Sequence, residues 1–520
     1  MKHQNILFIT MDQFRADLLH GNQHRSQHGD QNSDLANFVD LPNIRALMGD
    51  AVSFTNHWSV ITPCGPSRAS LLTGQYAMNH RSVRNGAPLD HTIPTLPGEM
   101  SKAGYTPLLF GYTDTAQDPR IHHPDDPALQ SYEMPMAGFH EMLEMRHKLS
   151  MPWRDHLARQ GYDLPPYSQF YIPDGPDLDS PAFYAKEDSD TAFLTDQFLS
   201  FLADSTVPAQ DTVNASVKAS AKAPWLAHLT YIRPHPPLVA PAPYNRLYQN
   251  QNIPVPLPLP NDFLDHPIIR EARSRVPFAS FVSGFPDLAQ TPEATQTLRQ
   301  VYLGLVNELD QHIGRIIDAL KASGQYDQTL IILTSDHGEM LGDFGIWGKS
   351  TVFDAAFRVP LIIRDPNLPT QGQTIGAPTE TIDIFPTLLE FSGQKPPGSV
   401  DGCSLIPLLH GQTPDTWRDY TWSELDFARI PAAPGDALPV SKCNLSILRE
   451  ADLTLVHFNA NLPPFLFDHR TTGETKSVAN DPAYANEMLR LTRRMLDHRM
   501  THANQTLSNH AITAHGVVQA

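Results

Sequence analysis

The sequence predicts an α/β fold with a large, mostly parallel central sheet flanked by helices and a smaller C-terminal α+β subdomain with an antiparallel sheet. Three observations predict this fold. Nearly continuous apolar runs recur along the chain up to Arg364, amphipathic helical patterns lie between these runs, and the runs become shorter toward the C-terminus. A chain of 520 residues also exceeds one minimal core, which favours a large domain with a smaller companion.

Five apolar runs predict strands of the central sheet, because strands buried on both faces have no polar side. The clearest helix between them begins near Val301, where the apolar side chains from Tyr302 to Leu320 share one face and Gly324 predicts the end. The five runs are Asn5–Thr10, Thr106–Tyr112, Trp225–Ile232, Thr329–Asp336 and Val359–Arg364.

The C-terminal part of the chain predicts a different arrangement. Three short runs, at 444–450, 453–458 and 464–470, are typical of antiparallel strands, and Asp481 and Pro482 predict the start of a final helix. We place a large N-terminal domain at 1–400 and a smaller C-terminal subdomain, with the polar tail, at 401–520. Two polar segments, 20–34 and 203–224, predict loop insertions in the N-terminal domain.

Composition excludes several classes of protein. The formal net charge of −18 disfavours nucleic acid as a partner but permits a small anionic substrate, because a metal ion and a few cationic side chains can reverse the potential of a cleft. No apolar run is long enough to predict a membrane span, and the N-terminus lacks the pattern of a signal peptide. The three cysteines are far apart in the sequence, which favours a reducing compartment. We therefore expect a cytoplasmic protein without a membrane partner.

Polar groups follow four of the five apolar runs. In open α/β sheets ligands bind outside the carboxyl ends of the strands, so these groups are expected to meet. Two carboxylates, one amide oxygen and one imidazole form a donor set that suits Ca²⁺, Mg²⁺ or Mn²⁺, and the nitrogen favours Mn²⁺ slightly. Each residue alone could instead be a helix cap or part of a turn. The metal candidates are Asp12, Gln13, Asp336 and His337.

Two further residues have open interpretations. His235 lies in the stiff segment RPHPP and is either part of a rigid connector or a general acid or anion-binding group. Lys349 follows Asp336 after a short glycine-containing loop and is either a surface lysine or a cation that reaches the same cleft.

Cys64 precedes the segment PSRASLLTG, which predicts a short helix. Pro66 suits the first helical position and Gly74 suits the residue after the helix. At the positive end of this helix a thiol would be acidified and an oxyanion stabilised. The alternative is a buried structural cysteine, which the nearby Pro66 and Arg68 make less favourable.

The segment CGPSRASLLTG resembles the sulfatase signature C-x-P-S-R-x-x-x-L-T-G, which is highly specific. The chain is therefore similar to the type I sulfatases of the alkaline phosphatase superfamily, and most similar to phosphonate monoester hydrolases and their arylsulfatase relatives. Supporting stretches are MDQFRAD, RPHPPLVAPAPY, TSDHGEMLGD and the tail segment LPPFLFDHR, so that the resemblance covers essentially the whole chain apart from the two insertions. It implies an alkaline phosphatase-like sandwich.

The resemblance also implies roles for individual residues. In this family the signature cysteine is oxidised to Cα-formylglycine, and Arg68 resembles the arginine that supports it. Ca²⁺ or Mn²⁺ is the implied metal, with the ligands Asp12, Gln13, Cys64, Asp336 and His337. The groups around the transferred anion are implied to be Asn85, Tyr112, His235 and Lys349. Asp114 stands where the phosphonate monoester hydrolase pattern has threonine, and this departure leaves the preference between anions open.

The implied activity is hydrolysis of sulfate monoesters and phosphonate monoesters, with phosphodiesters as a further candidate class, through the formylglycine hydrate. One hydroxyl of the hydrate attacks sulfur or phosphorus, His235 or Lys349 assists the leaving group, and the second hydroxyl expels the anion. One alternative is a dedicated phosphonate monoester or phosphodiester hydrolase with side activity on sulfates. The other is an inactive binding protein of the same fold.

Two partners of the chain are implied as well. A formylglycine-generating enzyme is required for maturation, and relatives form dimers or tetramers through C-terminal segments. The polar tail after Met500 predicts no regular structure on its own, and we expect it to form an arm on a neighbouring subunit.

Overall fold

The structure is a computed structural model that describes residues 4–21, 35–148, 150–205, 224–368, 372–428, 440–504, 508 and 510–519. Most of the two predicted loop insertions, namely 22–34 and 206–223, lies outside the described residues. No helix in the described ranges is both long and apolar enough to cross a membrane.

The centre of the molecule is an eight-stranded mixed sheet. A separate parallel pair consists of β3 (His57–Trp58) and β10 (Thr379–Glu380). The sheet strands are β1 (Asn5–Met11), β2 (Val52–Phe54), β4 (Thr106–Gly111), β5 (His140–Glu144), β6 (Trp225–Tyr231), β7 (Thr329–Thr334), β8 (Leu361–Arg364) and β9 (Gln373–Ile375). Their order across the sheet is β5-β4-β6-β1-β7-β8-β2-β9.

The five predicted apolar runs all lie in this sheet, which confirms the α/β prediction. The strands β4, β6, β1 and β7 are adjacent and parallel, and Ile9 in β1 lies between Leu229 and Leu333 with no exposed surface on any of the three. The fifth run differs from a parallel strand, because β8 pairs antiparallel with both β7 and β2. An apolar run indicates that both faces of a strand are buried, but it does not indicate whether the strand is parallel or antiparallel to its neighbours.

Helices cover both faces of the sheet. The longest, α9 (Pro292–Ala322), is capped by Thr291, whose side chain accepts a hydrogen bond from Ala294 N, and it ends before Gly324 at φ +69° as predicted. The other helices are α1 (Asp17–His20), α2 (Pro42–Gly49), α3 (Cys64–Thr73), α4 (Ala77–His80), α5 (Leu96–Lys102), α6 (Met151–Arg159), α7 (Asp190–Ser205), α8 (Pro267–Arg275), α10 (Asp354–Phe357), α11 (Ile384–Phe391), α12 (Ile406–Leu409) and α13 (Ala485–Thr501).

A four-stranded antiparallel sheet forms the C-terminal part and confirms that element of the predicted fold. Its strands pair in chain order, and hydrogen bonds from Ser423 Oγ to Ser59 O and from Glu424 N to Val60 O, each 2.8 Å, join it to the segment that leads into α3. The domain boundary at residue 400 stays a prediction. The strands are β11 (Thr421–Asp426), β12 (Asn444–Arg449), β13 (Leu453–Phe458) and β14 (Phe465–Asp468).

The chain ends in a small antiparallel hairpin formed by β15 (His510–Thr513) and β16 (Gly516–Gln519). Its described side chains are exposed, including Ile512 at 90%. The expectation that the tail has no regular structure on its own is therefore wrong for these residues, because the two strands pair across a two-residue turn at Ala514 and His515.

Candidate active site

The carboxyl ends of four neighbouring parallel strands converge on one edge of the central sheet. β1 leads into Asp12 and Gln13, β7 leads to Asp336 and His337, β4 leads into Tyr112, and β6 leads into the loop that carries His235. The first three strand ends are almost fully buried, because neighbouring loops and α3 cover them. Parallel register therefore brings together residues that are more than 300 positions apart in the chain.

Cys64 is the first residue of α3 and lies over this edge. Pro63 is the N-cap, so α3 begins two residues before the predicted start at Pro66, and Gly74 follows it in a left-handed conformation with φ 68°. The Cys64 Sγ atom is 3.2 Å from His337 Nε2 and 3.9 Å from Asp12 Oδ1. The helix therefore places the cysteine against the predicted metal ligands.

The expectation of an acidified thiol is wrong for the unmodified cysteine of the metal-free protein. Burial raises the pKa of Cys64 well above its ordinary value, and the carboxylates of Asp12 and Asp336 raise it further. The nearby ammonium of Lys349 lowers it, but this effect is smaller. The positive end of α3 is outweighed by desolvation and by the acidic side chains, so an unmodified Cys64 is a protonated thiol while no metal ion is bound.

Four side chains form a compact donor cluster. The ligand atoms of Asp12, Cys64, Asp336 and His337 all lie within 4.8 Å of one another, and each residue is at most 4% exposed. His337 Nδ1 is 3.0 Å from Gly338 O, an arrangement that directs the lone pair of Nε2 toward the cluster. Two buried carboxylates and one imidazole held in this way fit a divalent cation with oxygen and nitrogen ligands.

Arg68 lies one helical turn after Cys64 and pairs with both carboxylates of the cluster. Its guanidinium is 3.0 Å from Asp336 Oδ2 and 3.2 Å from Asp12 Oδ2, and it lies 4.1 Å from the ring centroid of Tyr112. Burial opposes the charge, but Tyr112 and the two carboxylates together raise the pKa of Arg68 well above its ordinary value. Arg68 therefore stays charged and fixes the orientation of two predicted metal ligands.

Gln13 reaches the site through a strained backbone with φ 70°. Its side-chain amide donates to Glu339, and its carbonyl oxygen Oε1 accepts a hydrogen bond of 2.5 Å from Lys349 Nζ. Burial lowers the pKa of Lys349, but the nearby Cys64, Asp12 and other acidic groups raise it overall, so the ammonium stays charged. Gln13 Oε1 and Lys349 consequently lie at the same side of the cluster.

Glu339 is a residue of this site that sequence reasoning missed. It is 1% exposed, and its carboxylate accepts hydrogen bonds from Leu341 N, Gly348 N and the Gln13 side chain. The carboxylate therefore ties the loop before Lys349 to a predicted metal ligand. Its position two residues after His337, in the segment SDHGEM, is the signal that could have found it.

Asn85, Tyr112 and Asp114 lie close to Cys64, and their contact with an anion stays a prediction. Asn85 Oδ1 accepts a hydrogen bond of 2.9 Å from Gly65 N, and the Tyr112 hydroxyl donates to Asp12. Asp114 is 7% exposed with φ 49°, and burial together with Asp12 raises its pKa to about 8 despite the opposing effect of Arg68. In the metal-free protein Asp114 is therefore uncharged near neutral pH, which reduces the repulsion that a carboxylate would exert on an anionic substrate.

His235 is held by its own loop. Its Nδ1 atom is 2.6 Å from Pro236 O, and the ring of His147 packs edge-on against it at a centroid distance of 5.0 Å. Burial lowers the pKa of His235 well below its ordinary value, and the positive charge of Lys349 lowers it further. The imidazole is therefore neutral in the free protein, with Nδ1 donating to the backbone and Nε2 available for a ligand.

Comparison with known proteins identifies similar chains over the full length. The sulfatase family model matches residues 4–393, and the model for the C-terminal region of N-sulphoglucosamine sulphohydrolase matches residues 342–501. The multifunctional alkaline phosphatase superfamily protein PehA of Trinickia caryophylli is 34% identical over 535 residues, which covers 99% of each chain.

Two solved structures are also similar throughout. A phosphonate monoester hydrolase from Silicibacter pomeroyi is 51% identical with a TM-score of 0.91 and covers 100% of this chain and 99% of its own. A phosphonate monoester hydrolase of Agrobacterium radiobacter is 36% identical with a TM-score of 0.85, and all of both chains is covered. Both similarities extend along the whole chain and so cover the segments that carry the buried cluster around Cys64.

Proposed function

This chain belongs to the sulfatase family and is a hydrolase of sulfate or phosphonate esters, and we propose that it acts through a formylglycine made from Cys64. One observation supports this proposal most directly. Cys64 Sγ lies 3.2 Å from His337 Nε2 within the buried donor cluster that also contains Asp12 and Asp336. Oxidation to an aldehyde that binds water would place hydroxyl groups at the same position.

We propose Asp12, Gln13, Cys64, Asp336 and His337 as the ligands of one divalent metal, Ca²⁺ or Mn²⁺. Such an ion would lower the pKa of a neighbouring hydroxyl and stabilise negative charge on the substrate. Arg68 holds two of the ligands in place, and Lys349 supplies a positive charge beside Gln13. Both cations would stabilise the charge that develops on the nonbridging oxygens of the anion.

His235 is proposed to deliver the proton that the leaving oxygen requires. In the free protein it is neutral, and binding of an anionic ester beside Nε2 would favour its protonated form. Its Nδ1 contact with Pro236 O keeps Nε2 as the reacting atom. Asn85, Tyr112 and Asp114 surround the space next to Cys64 and are proposed to contact the anion.

We propose that the substrates are sulfate monoesters and phosphonate monoesters, with phosphodiesters as a further class. Two solved structures that are similar to this chain along its whole length are phosphonate monoester hydrolases, and this favours the narrower alternative of a dedicated phosphonate monoester or phosphodiester hydrolase with side activity on sulfates. Comparison of kcat/KM for an aryl sulfate, a phenyl phosphonate ester and a bis-aryl phosphodiester distinguishes the two. Equal rates within about tenfold support the broader activity, whereas a sulfate rate lower by about a thousandfold supports the narrower one.

Mass spectrometry of the peptide that contains Cys64, combined with two substitutions, tests the proposed nucleophile. We expect the aldehyde form in protein from its native host, no turnover in Cys64→Ala, and at most a single slow turnover in Cys64→Ser because serine lacks the second hydroxyl. Full activity of Cys64→Ala would refute the mechanism. An unmodified thiol in an inactive native protein would support the alternative of a binding protein of the same fold.

The proposed modification requires a formylglycine-generating enzyme as a transient partner. We further propose a cytoplasmic location, which is consistent with three free cysteines, all within the described ranges. The acidic net charge of −18 continues to argue against nucleic acid as a partner.

We propose that the protein is a homo-oligomer, either a dimer or a tetramer, that assembles through its C-terminal segments. On α13 the exposed residues Leu489, Leu496 and Met500 share one face of the helix, and the hairpin beyond it exposes Ile512 and Val517. A lone two-stranded hairpin is only marginally stable, so contact with another subunit would stabilise it. Deletion of the residues after Met500 should lower the number of subunits per particle, as calculated from the mass in solution. An unchanged number of subunits would contradict this assembly.

A further inference from the structure

Arg233 lies two residues before His235 and contacts the backbone of the same loop. Its guanidinium Nη1 donates to Pro237 O at 2.8 Å and to His235 O at 3.2 Å. Along the chain, these two carbonyl groups lie on either side of the Pro236 carbonyl. Arg233 therefore restrains the backbone from which the imidazole projects.

Asp190 anchors this arginine from a different part of the fold. Its Oδ2 atom is 2.9 Å from Arg233 Nε, and the two side chains are 3% and 1% exposed. Asp190 is the first residue of α7, and its Oδ1 atom accepts a hydrogen bond of 2.9 Å from Thr191 N. The ring of Tyr171 covers the guanidinium with its centroid 5.1 Å away. The loop is thus connected through one buried ion pair to the end of a 16-residue helix.

The imidazole itself has a second restraint that depends on the same loop geometry. Pro236 O is 2.6 Å from His235 Nδ1 and 3.2 Å from His147 Nε2. The orientation of this carbonyl is set by its neighbours, and the carbonyls of His235 and Pro237 on both sides of it are the ones that Arg233 holds. Loss of Arg233 would therefore let the acceptor of Nδ1 turn, and Nε2 would move with the ring.

We propose that Arg233 and Asp190 are positioning residues for His235 that act through the RPHPP backbone and leave the substrate untouched. The proposal rests on the role given to His235 in the proposed function. Proton transfer falls steeply when the donor and acceptor are misplaced by about 1 Å, so loosening this loop should remove much of the contribution of His235 while leaving the metal ligands in place.

The test compares esters with good and poor leaving groups in the full-length, metal-loaded enzyme. We expect Arg233→Met to lower kcat/KM by about 10- to 100-fold for poor leaving groups, which require a proton, and by less than about threefold for nitrophenol esters, which do not. Asp190→Asn should show the same trend with a smaller loss, because the arginine remains. Arg233→Lys should restore part of the activity, since an ammonium can still donate to one carbonyl.

A double-substitution cycle decides whether the effect passes through His235. In a His235→Ala background, Arg233→Met should lower kcat/KM by less than about threefold further. The proposal would be overturned if Arg233→Met lowered kcat/KM by the same factor with and without His235, and equally for all leaving groups. The ion pair between Arg233 and Asp190 would then have a purely structural role. Should Arg233→Met fail to fold, the cycle is carried out with Asp190→Asn, for which the same two outcomes apply.

Arg364→Met is the matched control. Arg364 is also nearly buried, donates to the backbone carbonyl of Tyr326 and pairs with Asp327 at 2.7 Å, but it lies opposite Ile331 in the amino-terminal half of β7, whereas the site lies beyond the carboxyl end of that strand. This variant should lose stability without any change in the dependence on the leaving group. If His235→Ala lowers kcat/KM by the same factor for good and poor leaving groups, the proton-donor role in the proposed function fails. The coupling between Arg233 and His235 still decides the positioning role in that case.

Discussion

Replacement of Glu308 by glutamine should stabilise this protein at neutral pH and leave its stability unchanged in mild acid. Glu308 lies on α9 with no exposed surface, and burial together with the neighbouring Asp190 raises its pKa to about 8, despite the opposing effect of Arg233. Folding at neutral pH therefore requires the carboxyl to take up a proton that it has lost in the unfolded chain. A glutamine keeps the shape of the neutral acid and needs no proton.

The magnitude follows from the two pKa values, 4.5 in a solvated chain and about 8 in the fold. The folded state binds the proton that the unfolded state releases, so stability falls as the pH rises between these values. Each pH unit in this window costs about 1.4 kcal/mol. Glu308→Gln should accordingly gain about 3 kcal/mol in the free energy of unfolding near pH 7, no more than about 5 kcal/mol above pH 8, and nothing near pH 4.5.

Denaturant unfolding of the parent and the Glu308→Gln variant at about pH 5 and about pH 7.5 measures this difference. Glu293→Gln, on the exposed first turn of the same helix, is the control and should differ little from the parent at both pH values. The reasoning is refuted if Glu308→Gln has the same advantage at both pH values, or if it is less stable than the parent near pH 7.5.

Three further predictions concern the site. Glu339→Gln places an amide against the Gln13 amide and should weaken metal affinity by about tenfold. Calorimetric metal titration measures this affinity, and an unchanged value would contradict the role given to Glu339. Asp114→Thr should raise kcat/KM for phosphonate esters several-fold relative to sulfates, and a constant ratio would exclude Asp114 as the discriminating residue. Chelation of the metal should lower the thermal midpoint, because Asp12 and Asp336 lose a shared cation, and Mn²⁺ or Ca²⁺ should restore it.

The convergence of the candidate site could be predicted because it depends on local pattern. Asp12 and Asp336 each follow an apolar run, and adjacent parallel strands end at one edge of a sheet whatever their distance in sequence. The signature around Cys64 added the helix that covers this edge. The structure brings these residues together, and their chemical roles stay predictions.

Details that depend on competing energies could not be predicted in the same way. The direction of β8 is invisible in an apolar run, because burial on both faces is equally compatible with either direction. Pro66 suits a helix start, but Pro63 in an extended conformation becomes the cap and moves the start to Cys64. The thiol was expected to be acidified by the helix end, whereas desolvation and two carboxylates determine its pKa.

Partners that the fold assembles from distant segments were also missed. Asp190 and Arg233 are separated by the second predicted insertion, and neither residue lies in a recognisable motif with the other. The role of Glu339, in the segment TSDHGEMLGD, could not be predicted, because its three hydrogen-bond donors are backbone and amide groups that a pattern of residue types does not show.

The burial of Cys64 has a consequence for the order of events during synthesis. The whole of α3 is buried, and His337, which contacts the thiol, is encoded 273 residues later. At a translation rate of about 5–20 residues per second, roughly 15–55 s separate the synthesis of these two residues. The proposed oxidation of Cys64 must be completed within or soon after this interval, since folding of the later segments closes the site. Faster translation, or a scarcity of the modifying enzyme, should therefore yield molecules that are correctly folded and permanently inactive.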